Sequence, residues 1–212
     1  FVLPTLSHGI SHGIMQGLKA SGEQIVKNAC ACAFFQDCVT VGLSAAIYLH
    51  DFSGISRSPE VTEMPVVVVR ENIISLHTDA VVNPATPSLT ADEGVSAEIF
   101  AAAGQRKLSA ACKQIGYCET GCSVITKGCD LPSKFVIHTV GPIWRGREAN
   151  QLLSAAYRSA LELAAEADCE SVAMTLLSVG RYGCPPEVSL EIALQEIYAF
   201  LGHHEMKFLL AL

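Results

Sequence analysis

Residues that could bind a ligand are concentrated in three short segments, each directly after an apolar run. Asn72-Ile73 follows the first run, Asn83-Pro84-Ala85-Thr86 follows the second, and residues 178–183 (SVGRYG) follow a later one. In the last segment the two glycines permit tight backbone turns before a predicted helix. The N–H groups and positive dipole end at a helix start favour a bound phosphate.

The glycine segment at 178–183 fits no stricter nucleotide-binding motif. No Gly-Lys-Ser/Thr follows it, so it lacks the lysine and the magnesium-binding hydroxyl of a triphosphate loop. Its glycines also lack the spacing of the dinucleotide fingerprint. An ordinary strand-to-helix turn explains the segment as well as a phosphate site does, so both interpretations stay open.

Alternating strands and helices are predicted to position these segments. Hydrophobic patterns indicate strands near 65–70, 80–82, 122–126, 135–140, 171–177 and 207–212, and helices near 96–104, 105–116, 148–168 and 187–201. This order is typical of an α/β domain with helices on both faces of a mostly parallel sheet. Ligands bind such sheets at the carboxyl ends of the strands, which is where the three segments fall.

Two predicted elements carry further expectations. The helix near 148–168 is expected to bury one apolar stripe, made of Leu152, Ala156, Ala160, Leu163 and Ala167. His138 lies inside an apolar predicted strand, which indicates a hydrogen-bonded core residue rather than a catalytic one. Trp144 is expected to pack or to line a rim.

The composition predicts a folded domain. The chain has 212 residues, of which 50% are hydrophobic and 17% charged, so it can bury a core rather than remain disordered. Its net charge of −7, with no basic block, argues against bulk nucleic-acid binding through phosphate contacts. The length exceeds a domain of roughly 100–200 residues and falls short of two.

The cysteines indicate a reducing environment. All 9 lie in apolar or helical contexts rather than at the spacing of a disulfide framework, which predicts an intracellular setting, cytoplasmic or nuclear. Neither the set Cys118, Cys122 and Cys129 nor the pair His8 and His12 matches a zinc ligand pattern, so we expect no metal. Residues 29–49 are apolar, but Gln36-Asp37 at their centre favours buried elements over a membrane span.

The order of these segments, rather than any one of them, resembles the macro domain, a module that binds ADP-ribose. The resemblance covers about residues 65–212. It rests on VVVVRENIISLHTDAVVNPAT, on LPSKFVIHTVGPIW at 131–144, on the helix at 152–164 and on LLSVGRYGCP. It implies a three-layer α/β/α sandwich with a mixed, mostly parallel central sheet, and no cofactor.

The sequence departs from the family pattern at three places. Where the family has Gly-Asp-Ile-Thr, whose acid accepts a hydrogen bond from the adenine amino group, this chain has Glu71-Asn72-Ile73-Ile74. Asn83 keeps its polar role near the distal ribose, but Thr86 replaces the asparagine that positions the ribose or the attacking water. The glycine run that cradles the pyrophosphate becomes ADEGVS at 91–96, which puts Ser96 at the position of the water-activating aspartate.

These departures bear on affinity and on catalysis. Thr86 and Ser96 offer hydroxyl groups without an evident adjacent base, which argues against hydrolysis by the family's usual route. A carboxylate such as Glu93, about 5 Å from a phosphate, would repel it by roughly 1–3 kcal/mol. Arg181 could offset part of this by pairing with the diphosphate, and Tyr182 could pack on a ribose.

The sequence therefore predicts a macro domain that binds ADP-ribose or ADP-ribosylated protein without efficient hydrolase activity. Two alternatives stay open: an ADP-ribosyl hydrolase or ADP-ribose-1″-phosphate phosphatase, and an interaction scaffold whose pocket has decayed. The predicted ligand-binding residues are Asn72, Ile73, Asn83, Thr86, Gly94, Val95, Ser96, Ser178, Val179, Gly180, Arg181, Tyr182 and Gly183.

The N-terminal residues form a separate question. FVLPTLSHGISHG at the start repeats the pattern of AMTLLSVGRYG at 173–183, in which an apolar strand precedes a Leu-Ser-x-Gly turn. We therefore predict that 1–52 is the C-terminal half of a preceding macro-like module, 53–64 a linker and 65–212 the macro domain. This division would make the chain part of a larger multidomain protein. A strand followed by a glycine turn is also common elsewhere, so the repeat has a second explanation.

Overall fold

The computed structural model describes residues 65–212. The segment at 1–52 and the linker at 53–64, with the predictions made for them, lie outside the described residues. Within 65–212 a single sheet has the strand order β1-β6-β5-β2-β4-β3. Its strands are β1 (Val66–Val69), β2 (Ala80–Pro84), β3 (Ser123–Lys127), β4 (Phe135–Thr139), β5 (Ser171–Met174) and β6 (Lys207–Ala211).

The sheet is mixed and mostly parallel, as predicted. β3 runs antiparallel to β4, and every other neighbouring pair is parallel. The last strand in the sequence, β6, lies between β1 and β5. In β2 the residues Ala80, Val81, Val82 and Asn83 are all buried, as expected for a strand covered on both faces.

Helices cover both faces of this sheet, which confirms the predicted α/β/α sandwich. The helices are α1 (Val95–Ala102), α2 (Gln105–Ile115), α3 (Asn150–Glu166) and α4 (Pro186–Leu201), with short 3-10 turns at Ile73–Ser75, Arg147–Ala149 and Gly180–Tyr182. α1 and α2 pack together, while α3 pairs with α4. α4 begins at Pro186, a position where a missing N–H group costs nothing.

The core beneath α1 and α2 follows from strand alternation. Val81 and Val136 contribute to one cluster with Ile99, Phe100 and Leu108 of these helices. Because successive strand residues point to opposite faces, the neighbouring residues of β2 and β4 face the layer formed by α3 and α4.

The buried stripe of α3 agrees with the prediction only in part. Ala156 and Ala160 are buried as predicted, whereas Leu152 is 46% exposed and Leu163 and Ala167 are only partly buried. Leu153, beside Leu152, is fully buried. The rest of the buried stripe is Ala156, Tyr157, Ala160, Leu161 and Ala164. The sequence pattern missed Tyr157, because a residue with a polar hydroxyl enters this core only where that hydroxyl has partners.

Tyr157 has those partners. Its hydroxyl oxygen accepts a hydrogen bond from the Leu177 N–H (2.8 Å) and lies 2.8 Å from the Ser189 hydroxyl. Ser189 in turn donates to the Leu177 carbonyl oxygen (2.7 Å). This buried network, whose desolvation raises the pKa of Tyr157, ties α3 and α4 to the residue directly before the 178–183 segment. The network therefore fixes where that segment begins.

Two further features concern the sequence predictions. Among the helices that the structure describes, none is both long and apolar enough to cross a bilayer. The described cysteines, Cys112, Cys118, Cys122, Cys129, Cys169 and Cys184, carry free thiols.

Candidate functional site

The candidate site begins at the carboxyl end of β2, where Asn83 lies opposite His138 of β4. Both side chains are fully buried. The Asn83 amide nitrogen Nδ2 donates to His138 Nδ1 at 3.0 Å, and His138 Nε2 lies 2.9 Å from the Thr126 hydroxyl. This confirms the prediction that His138 is a hydrogen-bonded core residue. Burial lowers the pKa of His138 to about 4, so the ring is neutral at pH 7.

Three buried oxygen atoms mark this edge of the sheet. Asn83 Oδ1, Ser96 Oγ and Ser178 Oγ have no hydrogen-bond partner within residues 65–212, and we call them the unpaired site oxygens. They lie at the end of β2, at the start of α1 and after β5. A fourth such atom, Asn150 Oδ1, belongs to the first turn of α3.

A buried oxygen without a hydrogen-bond partner destabilises the folded protein, so its presence points to a missing partner. A buried polar group without a partner costs about 1–3 kcal/mol, and native proteins contain few of them. Ordered water or a bound ligand with hydrogen-bond donors is the usual explanation. Each of the unpaired site oxygens belongs to a residue that the sequence predicts as ligand-binding. A contact with a particular part of the ligand, the distal ribose, is predicted only for Asn83.

The segment at 178–183 has the backbone geometry of a ligand loop. Ser178, Gly180 and Gly183 have φ values of 61°, 72° and 77°. A Cβ atom at Gly180 would meet nothing within 4 Å, so the space beside this residue is open. In contrast, a Cβ at Gly141, just after β4, would lie 2.3 Å from Ser178 Oγ. Only glycine at 141 lets the two loops approach this closely.

The second loop, at 91–94, leads into α1. Gly94, with φ 64°, is the N-cap residue and provides no side-chain hydrogen bond to the helix. The first N–H groups of α1 therefore lack a side-chain cap, and the helix dipole adds a partial positive charge there. Val95 and the buried Ser96 form the first residues of the helix. This end of α1 is suited to an anionic group.

An ion pair joins the two loops. The Arg181 guanidinium binds the Asp92 carboxylate, with side chains that are 50% and 19% exposed. The guanidinium carbon also lies 5.4 Å from the centre of the Tyr182 ring. Arg181, predicted to pair with a diphosphate, thus has an acidic partner in the protein, and Tyr182 has a cationic one. Glu93, predicted to repel a phosphate, is exposed.

Both polar atoms of the Asn72 side chain make hydrogen bonds within the protein. Its Oδ1 accepts from the Ile74 N–H at 3.2 Å and so caps the turn Ile73–Ser75, while its Nδ2 donates to Glu98 Oε2 at 2.7 Å. The predicted acceptor of Asn72 is therefore already in use, and a carboxylate stands beside it. Sequence reasoning missed Glu98. Its position in the first turn of α1, where acids are favoured, is the signal that could have found it.

Thr86 lies among other hydroxyl groups. Its Oγ1 is 3.2 Å from Ser88 Oγ and 3.5 Å from Thr90 Oγ1, and the latter two are 3.0 Å apart. In the part of the chain that the structure describes, no group of three or more His, Cys, Asp and Glu residues is placed to hold a metal ion.

Comparison with known proteins decides the family. The sequence profile of the Macro domain matches residues 82–193. The chain belongs to the Macro domain family. The "O-acetyl-ADP-ribose deacetylase" of Escherichia coli (strain K12) is 44% identical over 144 residues, which are 66% of this chain and 81% of that protein.

Solved macro domains share the fold. The Oceanobacillus iheyensis macrodomain with ADP superposes with a TM-score of 0.65 and 35% identity, covering 69% of this chain and 82% of that one. The Trypanosoma brucei macrodomain in complex with ADP-ribose gives a TM-score of 0.64 and 33% identity, covering 70% and 64%.

In this macro domain the predicted site residues fall into three groups. Gly94, Val95 and Ser96 lie at the start of α1, residues 178–183 lie on the loop that the Arg181–Asp92 ion pair connects to the loop at 91–94, and Asn83 lies at the end of the β2 strand. Asn72 and Ile73 lie at the turn after β1, which contacts α1 through Glu98. Thr86 belongs to the hydroxyl cluster with Ser88 and Thr90.

Proposed function

We propose that this macro domain binds ADP-ribose, free or attached to protein, between the loops at 91–94 and 178–183. The observation that carries the proposal is the set of unpaired site oxygens, Asn83 Oδ1, Ser96 Oγ and Ser178 Oγ. They present one buried acceptor, Asn83 Oδ1, and two buried hydroxyls that can donate or accept, at the strand ends where ligands bind α/β sheets. The uncapped start of α1 and the open space at Gly180 suit the diphosphate. Relatives named for ADP-ribose chemistry support the same ligand.

We further propose that hydrolysis is weak. The Thr86 hydroxyl is hydrogen-bonded to another hydroxyl, that of Ser88. The Ser96 hydroxyl has no hydrogen-bond partner among the described residues that would take its proton. A water molecule at this site would therefore lack a base of matched strength. The second candidate function is deacetylation of O-acetyl-ADP-ribose, which is favoured by the name of the relative that is 44% identical.

We also propose an intracellular setting and, from the repeat of the 173–183 pattern near the start of the sequence, a larger multidomain protein. The free thiols at the described cysteines support a reducing environment. ADP-ribosylated protein as the physiological partner follows from the proposed ligand, since a terminal ADP-ribose group presents the same atoms.

Calorimetry with two variants of one glycine tests the binding proposal. Gly180→Ala and Gly180→Glu impose the same backbone strain at φ 72°, but only glutamate adds a bulky anion to the open space. We expect wild type to bind ADP-ribose, Gly180→Ala to bind more weakly, and Gly180→Glu to lose at least a further tenfold. Absence of wild-type binding at millimolar ligand would support the decayed-pocket scaffold instead.

A turnover assay separates the two candidate functions. Acetate release from O-acetyl-ADP-ribose is measured with the Escherichia coli relative as the positive control. We expect ligand binding without turnover. Turnover at a rate similar to that of the relative would establish the deacetylase and contradict the proposal that hydrolysis is weak.

A further inference from the structure

A buried polar cluster lies directly beneath the proposed site and shares Asn83 with it. Its members are His138 and Asn83, both 0% exposed, together with Thr126, Cys112 and Phe100. No charged group contributes to the lowered pKa of His138, whose cause is desolvation alone. The cluster is therefore neutral, and its geometry is set by hydrogen bonds rather than by ion pairs.

Each ring nitrogen of His138 has a partner. Asn83 and His138 are opposite each other on the parallel strands β2 and β4, which brings Asn83 Nδ2 to 3.0 Å from Nδ1. On the other side, Nε2 lies 2.9 Å from Thr126 Oγ1 and 3.6 Å from Cys112 Sγ. The Phe100 ring, with its centroid 6.0 Å from that of His138, closes the cluster from α1.

With the Asn83 amide nitrogen facing the ring, these contacts assign the position of the ring proton. An amide NH₂ group can only donate, so His138 Nδ1 must accept and carries no proton. A neutral imidazole then has its proton on Nε2, from which it donates to Thr126 Oγ1 or more weakly to Cys112 Sγ. Burial raises the pKa of the Cys112 thiol to about 11, so this neighbour is also neutral at pH 7.

The same contact orients the Asn83 amide. With Nδ2 held by His138, the amide oxygen Oδ1 is the atom left without a partner among the described residues. We propose that His138 is a positioning residue, which holds the Asn83 amide so that Oδ1 is offered to the ligand as a hydrogen-bond acceptor. The group recognised there is a donor, such as a sugar hydroxyl, and a phosphate oxygen is rejected at this point. This inference rests on the proposed binding of ADP-ribose.

The first test needs no ligand. In protein labelled with ¹⁵N at histidine, NMR distinguishes a ring protonated on Nε2 from one protonated on Nδ1. We expect the Nε2-protonated form for His138 at pH 7. A ring protonated on Nδ1 would require the Asn83 oxygen to face His138, and would overturn the proposal.

The second test uses two variants of equal size. His138→Asn and His138→Leu remove the same ring volume, but asparagine places an acceptor oxygen near the former Nδ1 position. We expect His138→Asn to bind ADP-ribose within about threefold of wild type and His138→Leu to bind roughly tenfold more weakly, the loss of one hydrogen bond. Cys112→Ala, which disturbs the cluster without contacting Asn83, controls for packing and should leave affinity unchanged.

A double variant separates positioning from a structural role. In an Asn83→Ala background, His138→Leu should cause no further loss of affinity, because the residue through which it acts is gone. Equal losses in both His138 variants, or additive losses in the double variant, would show that His138 supports only the fold. If wild type fails to bind ADP-ribose, the proposed function fails, while the ring-proton measurement still decides which atom of the Asn83 amide faces His138.

Discussion

Arg181 and Asp92 form an ion pair that bridges the loop after β5 and the loop before α1. This pair alters the effect that Asp92 would have on a bound phosphate. Asp92, which would repel a phosphate if it were free, is neutralised by the guanidinium that would otherwise attract the phosphate. A diphosphate entering between the loops therefore competes with Asp92 for Arg181.

Asp92→Asn is expected to tighten ADP-ribose binding by about two- to fivefold, because it frees Arg181 and removes a negative charge. The gain is small since partly exposed ion pairs are worth about 0.2–1 kcal/mol. Glu93→Gln is the matched control: it removes one negative charge from the adjacent, exposed residue and should change affinity less than twofold. Calorimetry at low and high salt should show the Asp92→Asn gain shrinking as salt rises. Weaker binding by Asp92→Asn would mean that the ion pair holds the binding conformation.

Asn72→Asp is expected to weaken ADP-ribose binding, although it restores the acid of the family pattern. Glu98 Oε2 lies 2.7 Å from the Asn72 amide nitrogen, so a second carboxylate there would be repelled. Adding Glu98→Gln to Asn72→Asp should recover the loss, since the glutamine amide can donate to the new acid. Affinities of the four proteins in this cycle provide the measurement. Tighter ADP-ribose binding by Asn72→Asp alone, without Glu98→Gln, would contradict the contact between these two side chains.

Tyr157→Phe is expected to lower the free energy of unfolding by about 1–3 kcal/mol, because the Leu177 N–H loses its buried acceptor. The same change should weaken ligand binding, since Leu177 directly precedes the 178–183 loop. Lys107→Ala, which breaks the exposed ion pair with Asp130, is the control and should cost less than about 1 kcal/mol. Urea unfolding measures both. Equal costs would show that the buried network contributes no more than the surface pair.

Stability is expected to fall as the pH drops from about 6.5 to about 4. The folded chain holds His138 neutral with a pKa of about 4, while the unfolded chain binds a proton near the ordinary value of 6.5. The unfolded state thus binds more protons within this window, which lowers the free energy of unfolding by roughly 3 kcal/mol across it. Cys112 stays protonated throughout and adds nothing. Urea unfolding of wild type and His138→Asn at several pH values isolates the effect, and parallel pH profiles would contradict it.

Most of the fold could be predicted from local sequence patterns. The run of four valines in β1, the apolar β2 and the prolines at the start of α4 each determine their element through residue type and spacing alone. The insertion of β6 between β1 and β5 could not be predicted in this way, because pairing of parallel strands depends on contacts distant in the chain. The alternating pattern predicted helices on both faces of a mostly parallel sheet, and the family resemblance added the mixed sheet of the three-layer sandwich.

The sequence predicted which residues belong to the site, but it did not predict their contacts. The sequence indicates Asn83, Ser96 and Ser178 as ligand-binding residues, and all three have unpaired buried oxygens. The partners of Arg181 and Asn72 were missed, because Asp92 and Glu98 reach them only once α1 and the loops have packed. Tyr157 was missed because its hydroxyl depends on Ser189 and Leu177, which a helical stripe does not reveal.

The most direct test of the central claim is a crystal structure of this macro domain with ADP-ribose. We expect the ligand between the loops at 91–94 and 178–183, with a hydrogen-bond donor from ligand or ordered water on Asn83 Oδ1 and a hydrogen-bond partner for each of the Ser96 and Ser178 hydroxyls. Crystals soaked at millimolar ADP-ribose that show these oxygens without partners, or the ligand bound elsewhere, would contradict the proposed function.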